Sequence, residues 1–276
     1  MKGEMVMEFR TLRATFTRNF TIQLRAYPKD FFIGNLLTGI YTTLSAFFMY
    51  SLMFKGNMKS SFHAYTGTGD YMSYVIVGTA VYLYVIRTCL NVSRSLITEL
   101  RQGTLESLML APFKRVQYFM GNMLQQTITT SFEIAITILL SIPFGVRFSN
   151  FNFLSFIVTF ILGLFSFFSL SMVLACIMLY FRDTYISQNT LFALLFLLCG
   201  ITFPYQYLPR CIQVVSRLIP VTDAITLIRN SSLLGLGIRE QMGRIIYLLA
   251  ISSIYCLIGF RLMKRIEVIA LEKIHG

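Results

Sequence analysis

The chain predicts an all-α membrane protein with six transmembrane helices, and three observations carry that prediction. First, 55% of its 276 residues are hydrophobic and only 13% are charged, with a mean hydropathy of +0.66. Soluble domains carry roughly 25% charged residues. Second, the apolar residues fall in long runs, and a bilayer span needs about 20 of them. Third, the basic residues cluster beside those apolar runs, as in cytoplasmic loops that face anionic lipid.

In chain order, the first thirty residues lack a continuous apolar core. Met5, Phe9, Leu12, Phe16 and Phe20 recur at helical spacing, and Arg10, Arg13, Arg18 and Arg25 surround that stripe. This reads as an interfacial amphipathic helix stopped by Tyr27-Pro28, residues 1–30, ahead of a single transmembrane domain over residues 31–276. The expected spans cover about 31–54, 71–92, 119–142, 153–181, 187–203 and 245–263. Tyrosines at several ends (Tyr27, Tyr71, Tyr118, Tyr180, Tyr205) supply the interfacial belt in a chain without tryptophan.

The stretch from Pro204 to Gly243 is apolar enough to suggest a further span. Arg217, Pro220, Asp223 and Arg229 argue against a lipid-facing one. Two short helices are expected instead, about Pro209–Ile219 and Thr222–Leu234, dipping into the outer half of the membrane and returning.

Lysine and arginine number six in the N-terminal arm, four in the 93–118 loop and four from Arg261 onward. The 55–70 loop has only Lys55 and Lys59, and the 143–152 loop only Arg147. Both termini and the 93–118 loop are therefore expected in the cytoplasm. Six spans satisfy this bias and seven do not. The net charge of +12 is accounted for by such loops facing anionic lipid, and nucleic acid is not an expected partner.

Within the 93–118 loop lies E-L-R-Q-G-T-L-E-S-L-M-L-A-P, Glu99 to Pro112. Gly103 interrupts it, Thr104 is placed to cap a new helix, and Glu106 suits the first turn. Leu105, Leu108 and Met109 fall at i, i+3 and i+4, giving a short surface helix with one apolar side. Glu99, Arg101 and Glu106 flank that side, and Pro112 ends the element.

Two polar stripes run inside the expected spans. Gln126, Thr130, Glu133 and Thr137 share a face of the third span, and Asn35, Thr38, Thr42 and Ser45 one of the first. An intramembrane carboxylate is a functional-site candidate. Counting about 1.5 Å per residue puts Glu133 roughly 20 Å from the cytoplasmic face and Arg87 about 8 Å, which separates them in depth. The stripe is read either as a wall of the translocation path or as helix packing. Asp223 is expected to cap the second hairpin helix. Phe203, Tyr205 and Tyr207 are candidates for an outer aromatic gate. The five cysteines include no CxxC, only His63 and His275 are present, and no metal site is expected.

Glu99–Pro112, Y-F-R-D-T at Tyr180–Thr184, and F-P-Y-Q-Y-L-P followed by L-I-P-V-T-D-A-I-T-L-I-R at Phe203–Arg229 resemble the membrane permease subunits of type-2 ABC exporters. Ile219 departs from the asparagine that many relatives place before the proline. The resemblance implies that the Glu99–Pro112 helix couples to a separate ATPase subunit, two copies of which would bind ATP and Mg. It also implies a homodimer, or a heterodimer with a second permease, in a plasma membrane of bacterial inner-membrane type. The chain has no GxxxxGK[ST] phosphate loop, so no cofactor and no enzymatic activity are expected in it. The implied cargo is a drug, an antimicrobial peptide or a lipid-linked molecule. A proton-coupled secondary transporter using Glu133, and a non-transporting immunity or sensor subunit, are alternatives.

Overall fold

A computed structural model describes residues 2–26, 28–53, 60–104, 107–108, 115–148, 150–181 and 185–275. Among these the regular structure is helical throughout. The helices are α1 (Lys2–Ala26), α2 (Pro28–Phe48), α3 (Ser60–Thr66), α4 (Tyr71–Arg101), α5 (Arg115–Ser141), α6 (Phe153–Phe181), α7 (Tyr185–Leu198), α8 (Arg210–Leu218), α9 (Pro220–Leu233) and α10 (Met242–His275).

Among the described residues, four helices are long and apolar enough to cross a membrane: α4, Val116–Phe144 of α5 and the turn after it, α6, and Met242–Ile266 of α10. The pair α8–α9, bent by 86°, makes a fifth crossing if it is one broken span. Two of the six expected spans differ from this set. The first, α2, has 21 residues and continues in a π-helical turn, Met49–Met53. It has the length of a span, and Lys29 and Asp30 lie in its first turn, ahead of an uncharged stretch over 31–48. The other, α7, has 14 residues, about 21 Å, against a hydrocarbon core of about 30 Å. It stops at Leu198, five residues short of Phe203, because Gly200 takes a left-handed turn at φ +70°.

α4 is the organising helix: α5, α6 and α9 all pack along it. α6 packs through small residues, with Ser155, Thr159, Gly163, Ser166, Ser169, Ser171, Ala175 and Cys176 all buried. Within a bilayer, close backbone approach and inter-helix hydrogen bonds replace the hydrophobic drive that water would supply. Thr159 accordingly meets Ser231 of α9 hydroxyl to hydroxyl at 3.0 Å. Gly259 of α10 lies so close to α6 that a Cβ there would sit 2.8 Å from that of Met172. Cys89 and Cys176 are buried packers whose thiols reach backbone carbonyls. The outer faces of α2, α5 and α10 carry exposed Leu37, Leu139, Ile246 and Leu257, as lipid contact requires.

The expected short helices of the Pro204–Gly243 stretch are α8 and α9. Ile219 is extended between them and Pro220 opens α9, where a missing N–H does no harm. Asp223 does not cap α9, contrary to expectation. It lies inside the first turn, past the capping position, and faces Arg244 of α10 at 3.8 Å. α9 is almost wholly buried among α4, α6 and α10.

Candidate functional site

The expected coupling segment begins where α4 ends. Gly103 turns the chain at φ +72°, a conformation that favours glycine. Gly103 N–H donates to Leu100 O at 3.2 Å and Thr104 N–H to Glu99 O at 2.9 Å, closing the helix. Leu108 N–H then donates to Thr104 O at 3.0 Å, the i to i−4 spacing of a helical turn. The Thr104 hydroxyl donates back toward α4, to Glu99 Oε2 at 2.5 Å.

Glu99 is the node of this joint. Its side chain is only 6% exposed, and Oε1 also accepts from Arg18 Nη1 at 2.9 Å and from the Tyr118 hydroxyl at 3.1 Å. One carboxylate thus ties the end of α4 to the turn after it, to the start of α5, and to α1. The docking reading puts Glu99 at a rim; its burial comes from α1 and α5 closing over it.

α1 meets α5 by close approach and amide pairing. A Cβ on Gly121 would lie 2.9 Å from Leu12 O and from Thr15 Cβ. Asn19 Nδ2 donates to Asn122 Oδ1, and Gln125 Nε2 to Gln23 Oε1, each at 2.5 Å. Asn19 and Gln23 are four residues apart on one face of α1, a signal overlooked beside the aromatic stripe. On that stripe Phe16 stacks on Phe20 at 5.7 Å. A polar cleft of about 480 Å³ lies between α1, α4 and α5, with Glu99 and Arg87 both on its lining.

Leu108 is half-buried against its own core, beside Val92, Leu96 and Tyr118, and not wholly outward. Arg101 is exposed at the end of α4. Leu105, Glu106, Met109 and Pro112 lie outside the described residues.

Arg87 and Glu133, separated in depth by the sequence count, form an ion pair: Nη2 to Oε1, 3.1 Å. The count placed the cytoplasmic boundary at Val92, where the apolar run ends, but α4 continues to Arg101. Arg87 is then 14 residues from the helix end and Glu133 is 18 from the start of α5, about 21 and 27 Å. The helices run antiparallel and each side chain leans toward its own N-terminus, so the two lean together. Glu133 is 2% exposed, while the Arg87 side chain is 42% exposed in the cleft.

The two polar stripes face each other across the α2–α5 seam. A Cβ at Gly39 would touch Thr137 Oγ1 at 3.1 Å, and Thr43 and Ser141 share a hydrogen bond of 2.7 Å. Both pairs are 98 residues apart, and the same offset sets Asn35 level with Glu133. Thr38 and Thr42 donate to Gly34 O and Thr38 O, and Thr137 to Glu133 O, so their hydroxyls bond back along their own helices. Gln126 Nε2 donates to Gln125 Oε1 in the cleft. Among the described residues, Asn35 Nδ2 and Thr130 Oγ1 are buried with no hydrogen-bond partner.

At the far end of α4 the hairpin is held by Arg229, which is 6% exposed. Nε donates to Tyr74 O at 3.1 Å, Nη1 to Gly200 O at 2.6 Å, and Nη2 to Ile201 O. The guanidinium lies 3.6 Å from the centre of the Tyr74 ring. Gly78 leaves its space: a Cβ there would overlap Nη2 and lie 2.5 Å from Ile201 O. Arg229 therefore caps the carbonyls just past the short helix α7, and the Ser216 hydroxyl takes Leu198 O at 2.6 Å. The sequence shows Arg229 as a charge too costly for lipid; its three acceptors come from two other stretches of chain.

The three candidate gate aromatics diverge. Tyr205 is buried with Arg217 over its ring at 5.9 Å. Tyr207 packs edge-on against Tyr65 at 5.4 Å, and Phe203 is tilted on Tyr71 at 6.4 Å. Each fastens the hairpin approach to a different element.

No curated protein matches this chain. The family model for the ABC-2 type transporter matches residues 14–233, from the middle of α1 to the end of α9. A multi-pass helical bundle with a bent helix pair, matched over that range, places the chain as a transmembrane permease subunit: it belongs to the ABC-2 type transporter family.

Proposed function

We propose that this permease subunit works in an ATP-driven exporter, two copies or a pair with a second permease enclosing the path. The segment after Gly103 rests on a separate ATPase subunit that binds ATP and Mg. Both termini and this joint face the cytoplasm of a bacterial inner membrane, by the lysine and arginine bias. The cargo is hydrophobic or amphipathic, in keeping with a chain whose polar intramembrane stripes are few.

The Glu99 node carries this reading. A docking segment transmits motion only if it is fixed to the spans, and Glu99 fixes its proximal end to α1, α4 and α5 at once. Movement imposed on the turn would reach three helices through one buried carboxylate. The Arg87 partner of Glu133 weighs against a free proton carrier at that position.

Leu105→Asp tests the docking. It should abolish co-purification of the ATPase while the permease still inserts in the membrane. Retention of the ATPase would overturn the reading. Leu108→Asp is a poorer probe, because Leu108 also packs on the chain's own core.

A further inference from the structure

We propose that the wedge between α5 and α6 holds an acyl chain of a bilayer phospholipid. α5 and α6 each pack along α4 and make little contact with each other. The gap is a cavity of about 590 Å³, with α4 and α9 as its floor, including Val77, Ala80 and Ile228. Ile134 of α5 and Phe156 of α6 form opposite walls, and Phe148 lies at one end. That volume falls within the roughly 300–1,000 Å³ of small-molecule sites.

Three features name the occupant. The lining is almost wholly apolar, and its Tyr84 and Ser131 hydroxyls bond each other at 2.7 Å, so little remains to hold water. The flanking surfaces expose Phe132 and Leu139 on α5 and Leu154 and Ile161 on α6, so the mouth opens onto hydrocarbon. A helix about 10–12 Å across would exhaust the volume in roughly one turn, which excludes a helix of a second copy. A flexible chain fits, and an unfilled apolar void of this size would forfeit contacts on every wall. The exposed Arg147, adjacent to Phe148, places a cation at that end for the lipid phosphate.

The site requires only that the chain spans a bilayer and is independent of any ATPase. The full chain is reconstituted with a phospholipid bearing a diazirine on one acyl chain, illuminated, and its adducts mapped. Adducts should concentrate on 77–81 and 134–138 relative to the exposed face of α10. They should fall about tenfold or more in Ala80→Phe, with α10 adducts unchanged. Ile134→Phe fills the wedge from the other wall and serves if Ala80→Phe does not yield a monodisperse protein. Equal labelling of all exposed apolar faces, or wedge adducts unchanged in both variants, would overturn the proposal. So would wedge labelling by a headgroup-free alkyl diazirine alone.

Discussion

Replacing Arg229 by methionine should loosen the hairpin from α4 and α7 together. Three carbonyls lose a charged donor: Tyr74 O, Gly200 O and Ile201 O. A buried polar group left unpaired costs about 1–3 kcal/mol. Tyr74 O lies inside a helix and keeps its helical partner, so Gly200 O and Ile201 O bear most of the loss. Relief from burying a guanidinium offsets part of this. The net is about 3 kcal/mol, or roughly 6–12 °C in melting temperature at this chain length. Arg229→Lys should recover only part of it, since an ammonium cannot reproduce the planar fork that meets three carbonyls. Gly78→Ala should resemble Arg229→Met, because its methyl would occupy the guanidinium site. The double variant should be less destabilised than the sum of the singles, as residues sharing one site are non-additive. Thermal unfolding of the detergent-solubilised protein, followed by size exclusion, reads all four. Arg229→Met melting within about 0.5 kcal/mol of the parent, the range of neutral surface changes, would refute the clamp.

Other outcomes follow from Glu99, from the Arg87–Glu133 pair and from the α1–α5 contact. Glu99→Ala removes the acceptor of the buried Tyr118 hydroxyl, at about 1–3 kcal/mol, while the half-exposed Arg18 adds little. A net of about 2 kcal/mol should speed amide exchange at Gln102–Thr104 roughly 30-fold; unchanged exchange would contradict the node. Arg87→Met strands a buried Glu133 and should cost about 3 kcal/mol or more, as broken buried pairs do. Glu133→Gln should cost much less, because Arg87 already reaches the cleft. Melting temperatures showing the reverse order would count against the pair as described. Gly121→Val should displace α1 from α5, read as faster proteolysis within α1; a parental digestion pattern would deny the close approach.

Much of this architecture was legible in the sequence. Pro28, Gly103 and Pro220 punctuate the helices where a missing N–H or a left-handed turn is needed, and α8 and α9 match the expected short helices to within a few residues. What escaped depended on contacts distant in sequence. α7 ends early in an apolar run because Gly200 turns and Arg229, 29 residues on, accepts the task of capping. The Arg87–Glu133 pair was hidden because hydropathy marks where apolar residues end, and α4 carries its helix nine residues further. The polar stripes were visible, but only the 98-residue offset shows that they oppose each other. For Glu99 the pattern indicated an address, while its burial depends on helices contributed from both sides.

The most direct measurement concerns the joint. A photo-crosslinking amino acid is placed at Leu105 in the transporter as assembled in its native membrane, with a control at Leu236 beyond α9. If the segment after Gly103 is the contact through which ATP hydrolysis moves these helices, position 105 should yield an adduct with the ATPase subunit and position 236 none. Adducts at position 105 with lipid or with the permease alone would contradict the account.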